Sequence, residues 1–282
     1  DVILVTSLAN SIKKQFPESN IDLLVKKGNE NLVNEHPSIA QVLTFDKTKK
    51  WRETLRLLKE IRRNRYDFVI NVHRFFSSGL LSVLSKSKTI GFDKNPLSRF
   101  YTLRLPHPIA KGIHETDRNF TLIAALGIKF KEKPSIVPNQ AAMKAVEEFQ
   151  NQPYVCFAPA SVWQTKQLPI DKWNALAKNE NKLIYLIGGP DDHALCETIK
   201  TQSPNRIINL AGKLSLMESI ALMKGAVRNF VNDSGPLHFA SAVNAPVTAF
   251  FCSTVTDFGF GPLSDDSEVK EVTGLPCRPC GL

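Results

Sequence analysis

Short apolar runs alternate with stretches of helical periodicity along almost the whole of this 282-residue chain. The runs are rich in Val, Ile, Leu and Phe, whereas the stretches between them repeat an apolar residue every three or four positions. This alternation is typical of parallel sheets covered by helices. The sequence therefore predicts an α/β fold built from two doubly wound, Rossmann-like parallel-sheet domains.

The positions of the individual elements follow from the same pattern. The predicted strands are Ile21–Val25, Gln41–Phe45, Phe68–Asn71, Thr89–Phe92, Val155–Ala158, Leu183–Ile187, Arg206–Leu210, Asn229–Asn232 and Val247–Phe251. The predicted helices between them are Trp51–Asn64, Ser77–Leu84, Glu115–Leu126, Ala141–Gln150, Asp171–Asn179, Asp192–Thr201, Leu216–Gly225 and Leu237–Val243.

Two proline-containing segments, 131–134 and 137–139, interrupt both periodicities near the middle of the chain. We place a domain boundary at Pro138, which gives domains of residues 1–138 and 139–282. Ligands of such sheets bind at the carboxyl ends of the strands, so we expect a cleft between two facing domains.

The first residues favour a helix, because Val2, Val5, Leu8, Ile12 and Phe16 keep helical spacing. Asp1 would be the N-cap or a first-turn acid of that helix. A doubly wound domain normally opens with a strand, and none precedes this helix. We therefore expect the chain to be a fragment of a longer protein.

The net charge of +9 and the pI near 9.3 favour anionic partners, such as nucleotides, acidic lipid headgroups or nucleic acid. The basic residues are dispersed and do not interleave with aromatic residues, which disfavours nucleic acid. No signal peptide or membrane-length apolar run is present in the sequence. We expect a soluble, cytoplasmic protein that basic patches could hold at the anionic inner face of the inner membrane.

The five cysteines are scattered and odd in number, which suits a reducing compartment. Cys277 and Cys280 have the spacing of half a zinc knuckle, but a second ligand pair is absent from the sequence. We assign no metal there and expect no cofactor.

The segment 233–238, Asp-Ser-Gly-Pro-Leu-His, lies between an apolar run and a helical run. Ser234 can cap the helix, Gly235 allows a close approach to a ligand, and Pro236 is tolerated in a first helical turn. The free amides of such a turn suit a diphosphate, while Asp233 and His238 suit a sugar. The segment predicts a nucleotide-sugar site, although ordinary turn and capping chemistry would also explain it.

Four stretches together resemble glycosyltransferase family 9, the lipopolysaccharide heptosyltransferases and their relatives. They are DVILVTSLANSIKKQFPESNIDLLV, APASVWQTKQLPIDKW, the pair LIGGPDD and INLAGKLSL, and NDSGPLHFASA. The resemblance implies the two-domain GT-B fold, with an acceptor-binding first domain and a donor-binding second domain. It also implies that the opening strand and a C-terminal segment are missing from this chain.

The resemblance assigns roles to several residues. Asp1 matches the general base of the family, and Lys166 matches its phosphate-binding lysine. Ser161 matches a position that hydrogen-bonds the donor, whereas Val162 departs from relatives that carry a hydroxyl there. A helix cap and a solvated surface lysine are the alternatives for Asp1 and Lys166.

On the donor side, Asp233 would bind sugar hydroxyls, Ser234 and Gly235 would present amides to the diphosphate, and His238 would lie near the sugar. Gly189 lies at the end of a predicted strand, and similar positions in the family approach the nucleoside. For Asp192, a few residues later, helix capping is the expected role.

On the acceptor side, Arg74 follows the strand Phe68–Asn71 and could grip a carboxylate or phosphate. A surface arginine is the alternative. His114 is similar to a family histidine near the cleft.

These assignments predict an inverting, metal-independent transferase. The resemblance implies that it moves a heptose-like sugar, with ADP-heptose expected, to a lipopolysaccharide core or related glycan. The sequence lacks the Asp-x-Asp motif expected of a metal-dependent GT-A enzyme. A sugar-nucleotide epimerase and a non-catalytic nucleotide-sugar-binding relative remain as alternatives. The sequence indicates no oligomeric state.

Overall fold

The chain divides into two units, residues 1–132 and 133–282, in the computed structural model, which describes residues 2–202 and 205–280. Our sequence boundary at Pro138 lies a few residues inside the second unit. The reason is that the segment before Pro138 already bonds to that unit: the Ile136 N–H donates to the Ala242 carbonyl at 3.1 Å, and Lys133 pairs with Asp265.

The first unit carries its strands in two parallel sheets. One pairs β1 with β2, and the other has the order β3-β4-β5. The strands are β1 (Asp22–Lys26), β2 (Gln41–Phe45), β3 (Phe68–Asn71), β4 (Lys88–Phe92) and β5 (Leu103–Leu105). The helices are α1 (Val2–Gln15), α2 (Lys50–Asn64), α3 (Phe76–Leu84) and α4 (Glu115–Ala124).

Helix α1 is confirmed, and it is largely buried against α4 through Leu8 and Ile123. Its small polar residues are buried as well. The hydroxyls of Thr6, Ser7 and Ser11 donate to carbonyls one turn earlier in the same helix, so their burial leaves no donor unsatisfied.

The second unit contains one six-stranded parallel sheet of order β11-β10-β9-β6-β7-β8. The strands are β6 (Tyr154–Ala158), β7 (Leu183–Leu186), β8 (Ile207–Asn209), β9 (Arg228–Asn232), β10 (Val247–Phe251) and β11 (Ser267–Glu271). The helices are α5 (Gln140–Ala145), α6 (Ile170–Asn179), α7 (His193–Lys200), α8 (Leu216–Gly225) and α9 (Gly235–Ala242). Strand order reverses between the neighbours β6 and β9, which makes their carboxyl ends the topological switch point.

Every residue of β6 is buried, because helices cover both faces of the sheet. Cys156 points into the cluster that includes α8 and α9, whereas Phe157 points into the cluster that includes α6 and α7. Trp173 of α6 is fully buried there, with its ring 5.3 Å from those of Phe157 and Phe250.

The α/β class with parallel sheets is confirmed. Several predicted bounds differ from the structure by one or two residues, and the larger differences are in two strands and one helix. Strands β5 and β11 were not predicted, because both lie at sheet edges and need no continuous apolar run. The predicted helix Ala141–Gln150 ends as an α-helix at Ala145 and continues as a 3-10 turn over Glu147–Gln150.

No helix within residues 2–202 and 205–280 has the length and apolar content needed to cross a bilayer.

Candidate functional site

The loop after β6 and the turn after β9 meet at the switch point of the second unit. Lys166 ends a 3-10 turn in the first of these segments, and Asp233 directly follows β9. The Lys166 Nζ donates to the Asp233 Oδ2 at 2.7 Å, although 67 positions separate the two residues in the chain. The structure therefore brings together two of the residues that the sequence singled out separately.

The Asp233 carboxylate is nearly buried, with 7% of its side chain exposed, whereas 27% of the Lys166 side chain is exposed. The Thr254 hydroxyl, from the loop after β10, donates to the same Asp233 oxygen at 2.6 Å. The carboxylate is thus fixed from inside the protein, and the ammonium that balances its charge is open to solvent. An incoming anion can reach Lys166 without displacing Asp233.

Asn232 holds the Lys166 loop in this position. The buried Asn232 side chain donates to the Pro159 carbonyl at 2.8 Å and accepts from the Leu168 N–H at 2.9 Å. These two contacts fix the beginning and the end of the loop. Gln167 links the two halves of the loop, since its Nε2 donates to the Ser161 carbonyl at 2.8 Å.

Helix α9 begins at Gly235, at the same end of the sheet, with Pro236 in its first turn. Ser234 occupies the N-cap position, but its side chain makes no capping bond. The prediction that it caps the helix is wrong in this respect: its hydroxyl instead lies 3.4 Å from the carbonyl of Asn232. Pro236 has no N–H, and the Leu237 N–H donates to the Ser234 carbonyl at 3.1 Å. The N–H groups of Ser234 and Gly235 are therefore the ones left for a ligand, and they lie at the positive end of the helix dipole.

His238 lies one turn into α9 and is half-buried, with its ring in edge contact with that of Phe260 at 6.2 Å. A methyl group added at Gly235 would meet the Phe239 ring at an ordinary contact distance of 3.6 Å. Internal packing therefore does not require a glycine at position 235.

Gly189 lies after β7 and is engaged within its own turn. Its N–H donates to Asp192 Oδ2 at 2.8 Å, and its carbonyl accepts from the Asp192 N–H at 3.1 Å. The Gly189 N–H is therefore already used within this turn and is not free to bind the nucleotide-sugar donor. Asp192 was predicted to cap the following helix α7, and this prediction is wrong for its side chain, which makes no capping bond to α7. The side chain instead accepts from the Gly189 N–H.

In the first unit, Arg74 lies on an exposed surface at the carboxyl ends of β3 and β4. Its guanidinium carbon is 5.9 Å from the centre of the Phe75 ring. Buried Asn95, from the loop after β4, donates to the carbonyls of His73 and Phe75 at 2.9 and 3.0 Å, which joins the two loops. Gly79 makes room for it, because a methyl group there would lie 2.3 Å from the Asn95 Oδ1.

Three aromatic rings of these two loops are each 55% exposed: Phe75 and Phe76 follow β3, and Phe100 follows β4. Arg99 lies over the Phe100 ring at 4.7 Å. These residues were not among the sequence predictions, although an Arg followed by a Phe after two successive strands was a usable signal.

His114 is the N-cap of α4. Its Nδ1 accepts from the Thr116 N–H at 3.1 Å, and its own N–H donates to Asp117 Oδ2 at 2.9 Å in a reciprocal capping box. The imidazole therefore caps α4. Contact of His114 with the acceptor stays a prediction. Asp1 lies outside the residues that the structure describes.

The segment with Cys277 and Cys280 packs beside the Asp233 site. Arg278 donates to the Thr254 carbonyl through Nε and Nη2, at 3.1 and 2.6 Å, and the Cys280 N–H donates to the Ser253 carbonyl at 2.9 Å. Both thiols are free, and the described residues contain no cluster of three or more His, Cys, Asp or Glu side chains suited to a metal. Arg278 supports the loop that carries Thr254, a role that the sequence did not indicate.

Comparison with known proteins gives a consistent result. Residues 54–281 match the model of glycosyltransferase family 9 (heptosyltransferase). The chain is 26% identical over 280 residues to lipopolysaccharide heptosyltransferase 3 of Escherichia coli K12, covering 90% of this chain and 80% of that protein. It is also 26% identical over 299 residues to lipopolysaccharide heptosyltransferase 1 of Pseudomonas aeruginosa, covering 99% and 82%.

Solved structures agree in fold. A family 9 glycosyltransferase from Veillonella parvula superposes with a TM-score of 0.87 at 21% identity, covering 96% of this chain and 82% of that one. The ADP-heptose lipopolysaccharide heptosyltransferase II of E. coli superposes with a TM-score of 0.82 at 20% identity, covering 97% and 88%. An E. coli heptosyltransferase solved with ADP gives a TM-score of 0.77 at 21% identity, covering 96% and 90%.

Proposed function

Because the chain belongs to glycosyltransferase family 9, we propose that this glycosyltransferase moves a heptose from ADP-heptose to a lipopolysaccharide core or a related glycan. The observation that carries the proposal is the Lys166–Asp233 pair at the switch point of the second unit. Curated relatives named lipopolysaccharide heptosyltransferases, and an E. coli heptosyltransferase solved with ADP, support the choice of sugar and nucleotide.

The donor diphosphate binds between Lys166 and the first turn of α9. Lys166 offers a partly exposed cation, and α9 offers amides at the positive end of its dipole. The diphosphate gains negative charge as the bond to the sugar breaks, so both groups bind the transition state more strongly than the donor. Together they supply positive charge to the leaving group from the protein itself, and we propose that transfer is metal-independent.

Asp233 takes two roles in turn. Before the donor binds, its carboxylate holds Lys166, and Thr254 fixes its orientation. When the ammonium turns to the phosphates, the carboxylate is free to accept from sugar hydroxyls while Thr254 keeps it in place. His238 and Ser161 lie at the same end of the unit and complete the proposed donor site.

The transfer is a single displacement with inversion. The acceptor oxygen forms a bond to the anomeric carbon as the bond from that carbon to the phosphate oxygen breaks, and ADP leaves. The acceptor proton goes to a carboxylate, for which we propose Asp1.

The acceptor binds the first unit at the exposed surface around Arg74. Arg74 and Arg99 suit a carboxylate or phosphate on the acceptor, because a guanidinium binds both oxygens of such a group at once. The exposed rings of Phe75, beside Arg74, and of Phe100, beside Arg99, suit the apolar faces of sugar rings.

The ligand test is a thermal-unfolding panel with ADP, UDP, GDP, CDP and ADP-heptose. At a hundredfold excess over Kd, ADP and ADP-heptose are expected to stabilise the protein by about 2.7 kcal/mol. This corresponds to a rise in Tm of roughly 5–10 °C. The other diphosphates should give clearly smaller shifts, and a preference for UDP or GDP would overturn the proposed donor.

A transfer assay separates the proposal from its alternatives. Release of ADP from ADP-heptose should require heptose-deficient lipopolysaccharide as acceptor. Isomerised sugar formed from the donor alone would indicate an epimerase, and binding without turnover would indicate a non-catalytic relative.

A further inference from the structure

One face of α2 is basic, apolar and exposed, and the proposed transfer reaction does not use it. This outer face consists of Trp51, Arg52, Leu55, Lys59, Arg62 and Arg63. Helical spacing places these side chains on one side of the helix, since Trp51, Leu55, Lys59 and Arg62 follow at intervals of three or four. Trp51 is 77% exposed and Leu55 is 66% exposed.

The opposite face of α2 fixes the helix in the first unit. Leu57, Leu58 and Ile61 are buried in a cluster with Leu43 of β2 and Leu81 of α3. The outer face therefore points away from the core in a defined orientation. The Arg62 Nε also donates to the Leu84 carbonyl at 2.8 Å, which ties this face to the end of α3.

The acidic residues of α2 lie beside the outer face and are neutralised. Glu53 and Glu60 both pair with Arg56, at 2.9 and 2.8 Å. The outer face thus carries four basic side chains and no acidic one. Such separation of charge creates a local positive field on a protein that is already basic.

We propose that the outer face of α2 docks the protein onto an anionic lipid bilayer. Lys and Arg would bind lipid phosphates, while Trp51 and Leu55 would enter the boundary between headgroups and acyl chains. The adjacent tryptophan and leucine favour a bilayer over nucleic acid, because a phosphate backbone alone offers no apolar layer for them. The inference goes beyond the proposed transfer reaction and does not depend on the identity of the donor.

The test is sedimentation of the protein with vesicles of phosphatidylcholine, with or without about a third phosphatidylglycerol. Binding is expected only to the anionic vesicles and should weaken as salt rises. The double variant Arg52→Gln/Lys59→Gln should bind about 30-fold more weakly, at roughly fivefold per charge. Trp51→Ala should weaken binding while leaving the Tm unchanged, because the side chain is exposed.

Matched variants elsewhere serve as controls. Lys144→Gln/Lys224→Gln removes two exposed lysines of the second unit, and Trp163→Ala removes a tryptophan that is 67% exposed there. Both should bind vesicles like the wild type. Equal losses in these controls, equal binding to neutral vesicles, or a higher affinity for DNA that the α2 variants abolish would each overturn the proposal. No nucleotide sugar is present, so a failure here leaves the proposed transferase activity untouched.

Discussion

Replacing Lys166 by methionine is expected to lower kcat about 10² to 10³-fold, the loss typical when one preorganised group that stabilises developing charge is removed. Methionine keeps most of the length of the side chain and removes the cation that lies 2.7 Å from Asp233. The Kd for ADP should rise as well, because the free diphosphate is already charged. Both effects are measured by steady-state ADP release and by calorimetric titration with ADP.

Stability must be separated from catalysis in this variant. Removing the ammonium leaves the nearly buried Asp233 carboxylate with Thr254 but without a cation, which is destabilising. The double variant Lys166→Met/Asp233→Asn removes the uncompensated charge and should recover stability without recovering turnover. A double variant with near-wild-type kcat would show that Lys166 does not act on the leaving group.

The strands with successive apolar residues were the most predictable part of the fold. Gln41–Phe45, Phe68–Asn71 and Val247–Phe251 have the same bounds in the sequence prediction and in the structure. Each of them has apolar residues at successive positions, which are visible in the sequence, although only Val247–Phe251 is a mostly buried strand with a neighbour on each side. Strand β11, Ser267–Glu271, is polar and mostly exposed, and only its pairing with β10 defines it as a strand.

The candidate site was predictable residue by residue but not as an arrangement. Asp233 was identified from a local motif and Lys166 from the family resemblance, yet their contact depends on β6 and β9 being neighbours in the sheet. Thr254 and Arg278 carry no local signal, because a threonine after a strand and an arginine near the surface are common. Their importance comes from loops that meet only in the folded sheet.

Asn232→Ala is expected to have the second large effect, because one side chain holds both ends of the Lys166 loop. The substitution leaves the Pro159 carbonyl and the Leu168 N–H without their partner, which should cost about 2–4 kcal/mol of unfolding free energy. The loop should then no longer hold Lys166 beside Asp233, and the Kd for ADP should rise by at least about tenfold. Urea unfolding and calorimetric titration with ADP measure the two effects.

Asn229→Ala is the matched control, since Asn229 belongs to the same strand and is also fully buried. Its side chain donates to the carbonyls of Met223 and Pro246, both at 3.0 Å, and it lies about 10 Å along the strand from Asn232. Its loss should reduce the free energy of unfolding by about 1–3 kcal/mol and leave the Kd for ADP unchanged. If both variants weakened ADP binding equally, the effect would be a general loosening of the sheet. A selective loss in Asn232→Ala would instead mean that donor affinity depends on this one amide keeping the loop after β6 against the end of β9.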